Sequence, residues 1–321
     1  MVDRRQFIKN AGVASTLGIA GLGGCLGGDG GGADTVSFQL SPAESEVDIQ
    51  AQYQPLFDYL ESEADVTVES SVAADYSAIA QSLGSGQTDL ADAAPAIAIQ
   101  TGNEGTAEVA GIRVAFGAAR YFSLITTLPE YDIESLTDLE ETTVAFADSL
   151  STSGSLFPLF ALAEAGLDVG EAPTGEAADF TGQWSDHSTA RETLVNRDEV
   201  RAAGTGAFSV SGFVSGDDPE LSEEFRDVSA EMPVGGDRDE LELDVLHTSS
   251  PIPRAPILAR SDWDEEVKGR CVDALLAAEK DDLIDEDAEE ELWFSGVVEG
   301  TVAEYDPVKE VIETLGVELG Q

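Results

Sequence analysis

The sequence predicts an α/β protein built on parallel or mixed sheets with helices on both faces. Three observations carry that prediction. Strand-like and helix-like segments alternate along the chain, apolar residues make up 42 % of it, and its 321 residues leave room for two domains of ordinary size.

Taken in order, "TVSFQLS" (35–41) reads as a strand, and "VDIQAQYQPLFDYLESE" (47–63) as an amphipathic helix with Ile49, Tyr53, Leu56, Phe57 and Leu60 inward. "DVTVESSV" (65–72) alternates as a strand. A short helix follows at 75–86, with Asp75 placed to cap it and Gly84 near its end. "TDLADAAP" (88–95) is a strand stopped by Pro95, where the next helix starts. "GIRVAFGAA" and "RYFSLITTL" read as strands, and "SLTDLEETTVAFADS" as a short helix and then a strand. A hydroxyl-rich stretch, "STSGS", then leads into a helix through Gly166. Residues 214–245 are acidic and turn-rich, a solvated surface region with one short helix. The last sixty residues read as mostly helical. Within them Trp263, Val267, Cys271, Ala274, Leu275 and Ala278 recur at helical spacing, making Cys271 a small core residue. The sequence shows no internal repeat, heptad array or second hydrophobic span.

The charge excludes some functions. Sixty-four acidic residues face 16 basic ones, for a net charge of −48. No basic face exists to displace phosphate counterions, so nucleic acid is excluded as a partner. A folded chain this acidic suits concentrated salt, where the Debye length shrinks to about 3 Å at 1 M and self-repulsion is screened. No His/Cys cluster has metal-ligand spacing, and no cofactor is expected.

At the N-terminus, Arg4 and Arg5 precede "VASTLGIAGLGGC", an apolar run too short for an ordinary membrane span. The pattern resembles a twin-arginine signal (1–24) followed by a lipobox, "LGGC" (22–25). It implies that Cys25 carries lipid, that residues 25–34 form a Gly-rich tether, and that the protein is held at the extracellular face of the cell membrane. An uncleaved N-terminal anchor is the alternative, with the same placement. Cys271 is then without a partner in the chain, so disulfides do not hold the fold.

The hydroxyl cluster allows two readings. Ser151, Thr152 and Ser153 at a strand-to-helix junction offer donors, Gly154 allows close backbone approach, and a helix start is partially positive, which together suit an anion. The plainer reading, favoured by how common capping serines are, is that one of the hydroxyls is an N-cap and the rest are loop. Composition does not choose between them.

Several segments together resemble the substrate-binding proteins of phosphonate/phosphate/phosphite ABC importers. They are "YQPLFDYLES" (53–62), "VAADYSAIAQSLGSGQTDLADAAP" (72–95), "RYFSLITTLPEYDIESLTDLEETTVAFADSLSTSG" (120–154), "STSGSLFPLFALAEAGLD" (151–168), "FTGQWSDHSTARETLVN" (180–196) and "SSPIPRAPILA" (249–259). The resemblance implies a two-lobed, type II periplasmic-binding-protein fold, with residues 35–120 and 247–321 in one α/β domain, 121–246 in the other, and a ligand cleft between them. It implies a phosphorus oxyanion or alkylphosphonate as ligand and an ABC transporter permease as partner. By matching position, Tyr76, Tyr121, Ser151, Thr152, Ser153, Gly154 and His187 belong to the site, and Arg254 lies near it in the return crossover. His247 matches nothing and reads as structural.

Departures from the family pattern set further expectations. Phe208 and Ala255 stand where relatives that bind aminoalkyl phosphonates place acids, so the amine cage is missing here. Arg254 suits a more anionic ligand, or else a surface salt bridge. Ala94 replaces a usual glycine, and Asp92 a usual bulky residue, so Asp92 either points away from the anion or the ligand differs. Two rival functions stay open: an enzyme on the same fold with a cluster serine as nucleophile, and a receptor for a non-phosphorus solute.

Overall fold

Alternating apolar side chains in "DTVSFQL" make β1 (Asp34–Leu40), the strand next to one edge of the six-stranded sheet of lobe 1. The computed structural model describes residues 33–239, 241–284 and 291–320. In it β1 pairs in parallel with β2 (Val66–Val72) and with β3 (Leu90–Asp92). β4 (Ala107–Val114) lies two places beyond β3, separated from it by β12 (Pro256–Arg260), which is antiparallel to both. β13 (Gly296–Val298) closes that edge against β4.

The chain leaves this sheet through β5 (Arg120–Tyr121) and builds a five-stranded sheet, lobe 2. There β6 (Ser123–Thr127) is antiparallel to β9 (Val200–Gly206), while β7 (Thr143–Phe146) is parallel to β9 and to β8 (Thr181–Trp184). β10 (Asp244–Thr248) pairs with β6 at the edge, and β11 (Ile252–Pro253) returns antiparallel to β5 as the second crossover. The outcome is the expected α/β architecture of two lobes joined by crossover strands.

The six-stranded sheet of lobe 1 is covered on both faces. Phe38, Tyr53, Phe57 and Phe294 cluster on one side, and Ile97, Leu258, Tyr305 and Ile312 on the other. Cys271 is fully buried in the first cluster, as its helical spacing predicts. Lobe 2 has corresponding clusters around Phe122 and Phe225, and around Phe146 and Phe180.

Several expectations need correction. The helix expected over 47–63 breaks at Tyr53 into Ile49–Gln52 and Gln54–Ala64, because Pro55 fits a new first turn and not a helix interior. The next helix spans Tyr76–Ser85, capped by Asp75 as expected but ended by Gly86 at φ +74°, not by Gly84. Residues 214–245 do hold one short helix, Glu223–Val228, yet Val214, Leu221, Phe225, Met232 and Leu243 are buried, so this stretch is only partly solvated surface. The mostly helical end of the chain also supplies β13. Asp34, expected in the tether, starts the first strand. The signal, Cys25 and the tether up to residue 32 lie outside the described residues. Among the described residues no helix is long and apolar enough to cross a membrane.

Candidate functional site

The hydroxyl cluster follows β7 at the carboxyl end of the strand and opens onto the space between the lobes. The backbone takes one wide turn over Thr152–Leu156, with Leu156 N–H donating to the Ser151 carbonyl at 3.0 Å, and then continues as the helix Phe157–Glu164. Ser151, Thr152 and Ser153 are all buried, and all three line the cleft. Gly154 sits behind them. A Cβ on it would lie 2.3 Å from Ala147 Cβ and 2.6 Å from His187 Cε1, so glycine is required by its protein neighbours and not by approach to a ligand.

His187 begins the helix His187–Asn196, capped by Asp186, and is buried against Ser151. The Gly206 N–H donates to Nδ1 at 3.0 Å, which fixes that nitrogen as the acceptor. The ring hydrogen therefore sits on Nε2, 3.2 Å from Ser151 Oγ. Ser151 Oγ also accepts from the Gly154 N–H at 3.1 Å. With both acceptor positions filled, Ser151 has only its own O–H left to give, which the Tyr76 hydroxyl or an anion can take. Burial pushes the imidazole down to about 4, so it is neutral near pH 7. An imidazole that gives its hydrogen to Ser151 and has its other nitrogen occupied has no lone pair to take the serine proton. The nucleophile reading finds no base here.

Thr152 reaches across the cleft: its Oγ1 accepts from the Ala96 N–H at 3.1 Å, in the first turn of the helix Pro95–Glu104 of lobe 1. Ala94 offers that helix no side-chain cap, so a residue of lobe 2 supplies it. Ala94 itself adopts ordinary extended backbone (φ −68°, ψ 152°), and no glycine is needed there. Tyr76 and Tyr121 line the cleft, both buried. Burial, then the carboxylates of Asp148 and Asp92, hold the Tyr76 phenol well above its ordinary value. Burial likewise raises Tyr121, against a smaller pull from Ser153. Both remain O–H donors.

Arg254 is 2 % exposed and faces the cleft. Its Nε and Nη2 donate to the carbonyls of Ala118 (2.8 Å) and Ala115 (3.0 Å), and its guanidinium lies within 6.0 Å of the Phe116, Tyr121 and Trp293 rings. It forms no ion pair among the described residues, so the surface-salt-bridge alternative fails. Burial lowers it to about 10, still protonated at neutral pH. A second arginine, Arg113, also lines the cleft but is matched: Nη1 meets Asp92 Oδ1 at 2.5 Å and the Tyr53 hydroxyl at 2.6 Å, Nε donates to the Ala255 carbonyl at 2.9 Å, and the guanidinium stacks 4.4 Å over Trp293. Asp92 thus neither points away from the cleft nor stands unpaired.

The cleft holds a cavity of about 170 Å³, smaller than the ~300–1,000 Å³ of pockets for drug-sized ligands. Its walls include Phe116, Phe208 and Trp293, with Ala255 alongside. Of the expected residues, only Gly154 does not line it; His247 is half-buried on β10, away from the cleft, where burial lowers its pKa. Reading the sequence missed Arg113, Glu44 and Trp293. For Arg113 a signal existed, a cation inside the apolar strand "GIRVAFG". Among the described residues no cluster of three or more His, Cys, Asp or Glu could hold a metal.

Comparison with known proteins bears on the family and the fold. Residues 38–305 match the profile of a family described as ABC transporter, phosphonate, periplasmic substrate-binding protein. Over 156 residues the chain is 32 % identical to the phosphate-import protein PhnD of Mycolicibacterium smegmatis; the match covers 47 % of each, so the chain spans about half the length of this curated relative. Among solved structures, a binding protein component of an ABC phosphonate transporter from Pseudomonas aeruginosa superposes with a TM-score of 0.67 at 20 % identity, over 88 % of this chain and 87 % of that one. PhnD1 of Prochlorococcus marinus in complex with methylphosphonate gives 0.66 at 15 % identity, over 88 % and 98 %. At such identities these structures establish the two-lobed fold.

Proposed function

Because this chain belongs to the family of periplasmic substrate-binding proteins of phosphonate ABC transporters, we propose that it is a lipid-anchored receptor that captures a phosphonate, phosphate or phosphite in the cleft and hands it to an importer's permease. One observation carries the ligand class. Arg254 is a buried cation with no carboxylate partner among the described residues, and it shares the cleft with the Ser151 hydroxyl, whose acceptor positions are already filled. A buried charge without a partner is costly, and an oxyanion supplies the partner.

The strength is adequate. Hydrogen bonds to a charged group contribute roughly 1.5–3 kcal/mol each, so several from Ser151, the tyrosines and Arg254 reach the roughly −8 kcal/mol of a micromolar complex after desolvation and closure. The carboxylates that line the cleft, Glu44 and Asp92, each already face an arginine, Arg191 and Arg113. With Phe208 and Ala255 also in the wall, an ammonium group gains little.

A thermal-shift panel in concentrated KCl tests this, using methylphosphonate, phosphite, phosphate, 2-aminoethylphosphonate and sulfate. A ligand present at a hundred times its Kd stabilises by about 2.7 kcal/mol, several degrees in melting temperature. We expect such a shift from at least one phosphorus oxyanion, and none larger from the amine than from methylphosphonate. No shift from any phosphorus compound contradicts the proposal.

A further inference from the structure

Among the described residues, four charged side chains line the cleft: Arg113, Arg254, Glu44 and Asp92. Arg191 faces Glu44 and Arg113 faces Asp92, so these groups leave one positive charge, that of Arg254, too little to balance a doubly charged ligand. His187, the remaining titratable nitrogen in the wall, is neutral. Asp92 is the decisive member. It is 3 % exposed, sits at the end of β3, and neutralises Arg113 across the floor of the cleft at 2.5 Å. Without it the site would present two guanidinium charges; with it, Arg254 is, among the described residues lining the cleft, the cation left without a carboxylate.

We propose that Asp92 makes this cleft select the singly charged form of its oxyanion, R–PO3H⁻, over the doubly charged R–PO3²⁻. The inference rests on the reading that the ligand is a phosphorus oxyanion. A phosphate monoester loses its second proton at a pKa of about 6 and an alkylphosphonate somewhat higher, so both forms are present around neutrality and the choice between them has consequences. The monoanion finds Arg254 as its counter-charge and O–H donors for its oxygens, while the second charge of a dianion would meet the Asp92 carboxylate in a site with little water to screen it. The groups facing Asp92 are Arg113 from β4, Tyr53 at the start of the helix Gln54–Ala64, Ser41 at the end of β1 and Tyr76 from the helix Tyr76–Ser85. Of these only Arg113 is charged near neutrality, and Asp92 already occupies it.

The test is calorimetric titration of the chain with methylphosphonate from pH 5 to 9 in concentrated KCl, together with the ³¹P chemical shift of the bound ligand at the upper end. If only the monoanion binds, affinity falls about tenfold per pH unit above the ligand's second ionisation, following the competent fraction. The bound ligand then shows the monoanion shift even where the free ligand is a dianion. In Asp92→Asn the slope flattens and affinity at pH 9 rises at least tenfold. A flat profile in the unaltered protein, or a bound dianion shift, overturns the selection while leaving the ligand class intact. The ³¹P shift is read on the unaltered chain, so the proposal remains falsifiable even if Asp92→Asn fails to fold. Absence of binding by methylphosphonate, phosphite and phosphate at every pH overturns the ligand class, and this inference with it.

Discussion

Ser151 accepts from the Gly154 N–H and from His187 Nε2, so its hydrogen is directed by the protein before any ligand arrives. Such preorganised donors bind an anion without further ordering cost. Replacing Ser151 by Ala should weaken methylphosphonate binding at least tenfold, about 1.4 kcal/mol. Equal titration curves would remove Ser151 from the site. His187 makes a separate prediction. Its folded-state pKa, about 4, lies below its ordinary value of 6.5, so on acidification the unfolded chain takes up this proton first. The neutral ring costs no stability above pH 6.5; between 6.5 and 4 the protein loses up to about 3 kcal/mol through this group. Denaturant melts at constant high salt should therefore show the stability gap between His187→Gln and the unaltered chain shifting in favour of the variant as pH falls through that window. Parallel curves would contradict the neutral, buried ring. At this scale the hydroxyls, both tyrosines and Arg254 were legible in the sequence, because they fall in short matched segments. The Arg113–Asp92 pair was not. Its members are two places apart in the sheet across β12, a neighbour that comes from the far end of the chain.

The element that makes the site is the wide turn Thr152–Leu156, and its shape depends on Gly154. A methyl group there would meet Ala147 and His187 well inside contact distance. Gly154→Ala should cost 1–3 kcal/mol of stability, the usual penalty for overpacking, and impair anion binding by displacing His187 from Ser151; urea melts and titration check both. Unchanged stability would mean that the turn gives way freely. The neighbouring Thr152 caps the helix Pro95–Glu104 from the opposite lobe, so Thr152→Val, which keeps the shape and loses the acceptor, should weaken closure, while Thr152→Ser should retain it. The main helices and most strands were readable from periodicity and caps: Asp75, Pro95 and the apolar stripe around Cys271 are in place. Three-residue β13 was not readable, since an edge strand that short carries no periodicity and follows a helical run.

For the whole molecule, closure is a contest between contacts and charge. The segment after β1 ties lobe 1 to the helix His187–Asn196 of lobe 2: the His187 N–H donates to the Ala43 carbonyl at 3.1 Å, Ser45 Oγ donates to Asp186 at 3.1 Å, and Arg191 pairs with Glu46. Both lobes are acidic, so bringing them together costs more when salt is dilute. Thermal melts from 3 M KCl down to 0.1 M should show a steep fall in melting temperature; a constant value would mean that the charge of −48 is accommodated without screening. Glu46→Ala should raise Kd by a similar factor for every ligand, because it removes a contact between the lobes and leaves the cleft lining unchanged. The two-lobed plan was legible only through the ordered succession of matched segments; no composition or period reveals which strand returns to which sheet. The central claim is that an oxyanion sits between the Ser151 hydroxyl and the Arg254 guanidinium. A crystal structure with methylphosphonate tests it most directly. Phosphonate oxygens should lie within about 3 Å of Ser151 Oγ and of an Arg254 nitrogen. A phosphonate bound elsewhere, with Arg254 facing only carbonyls and rings, would contradict it.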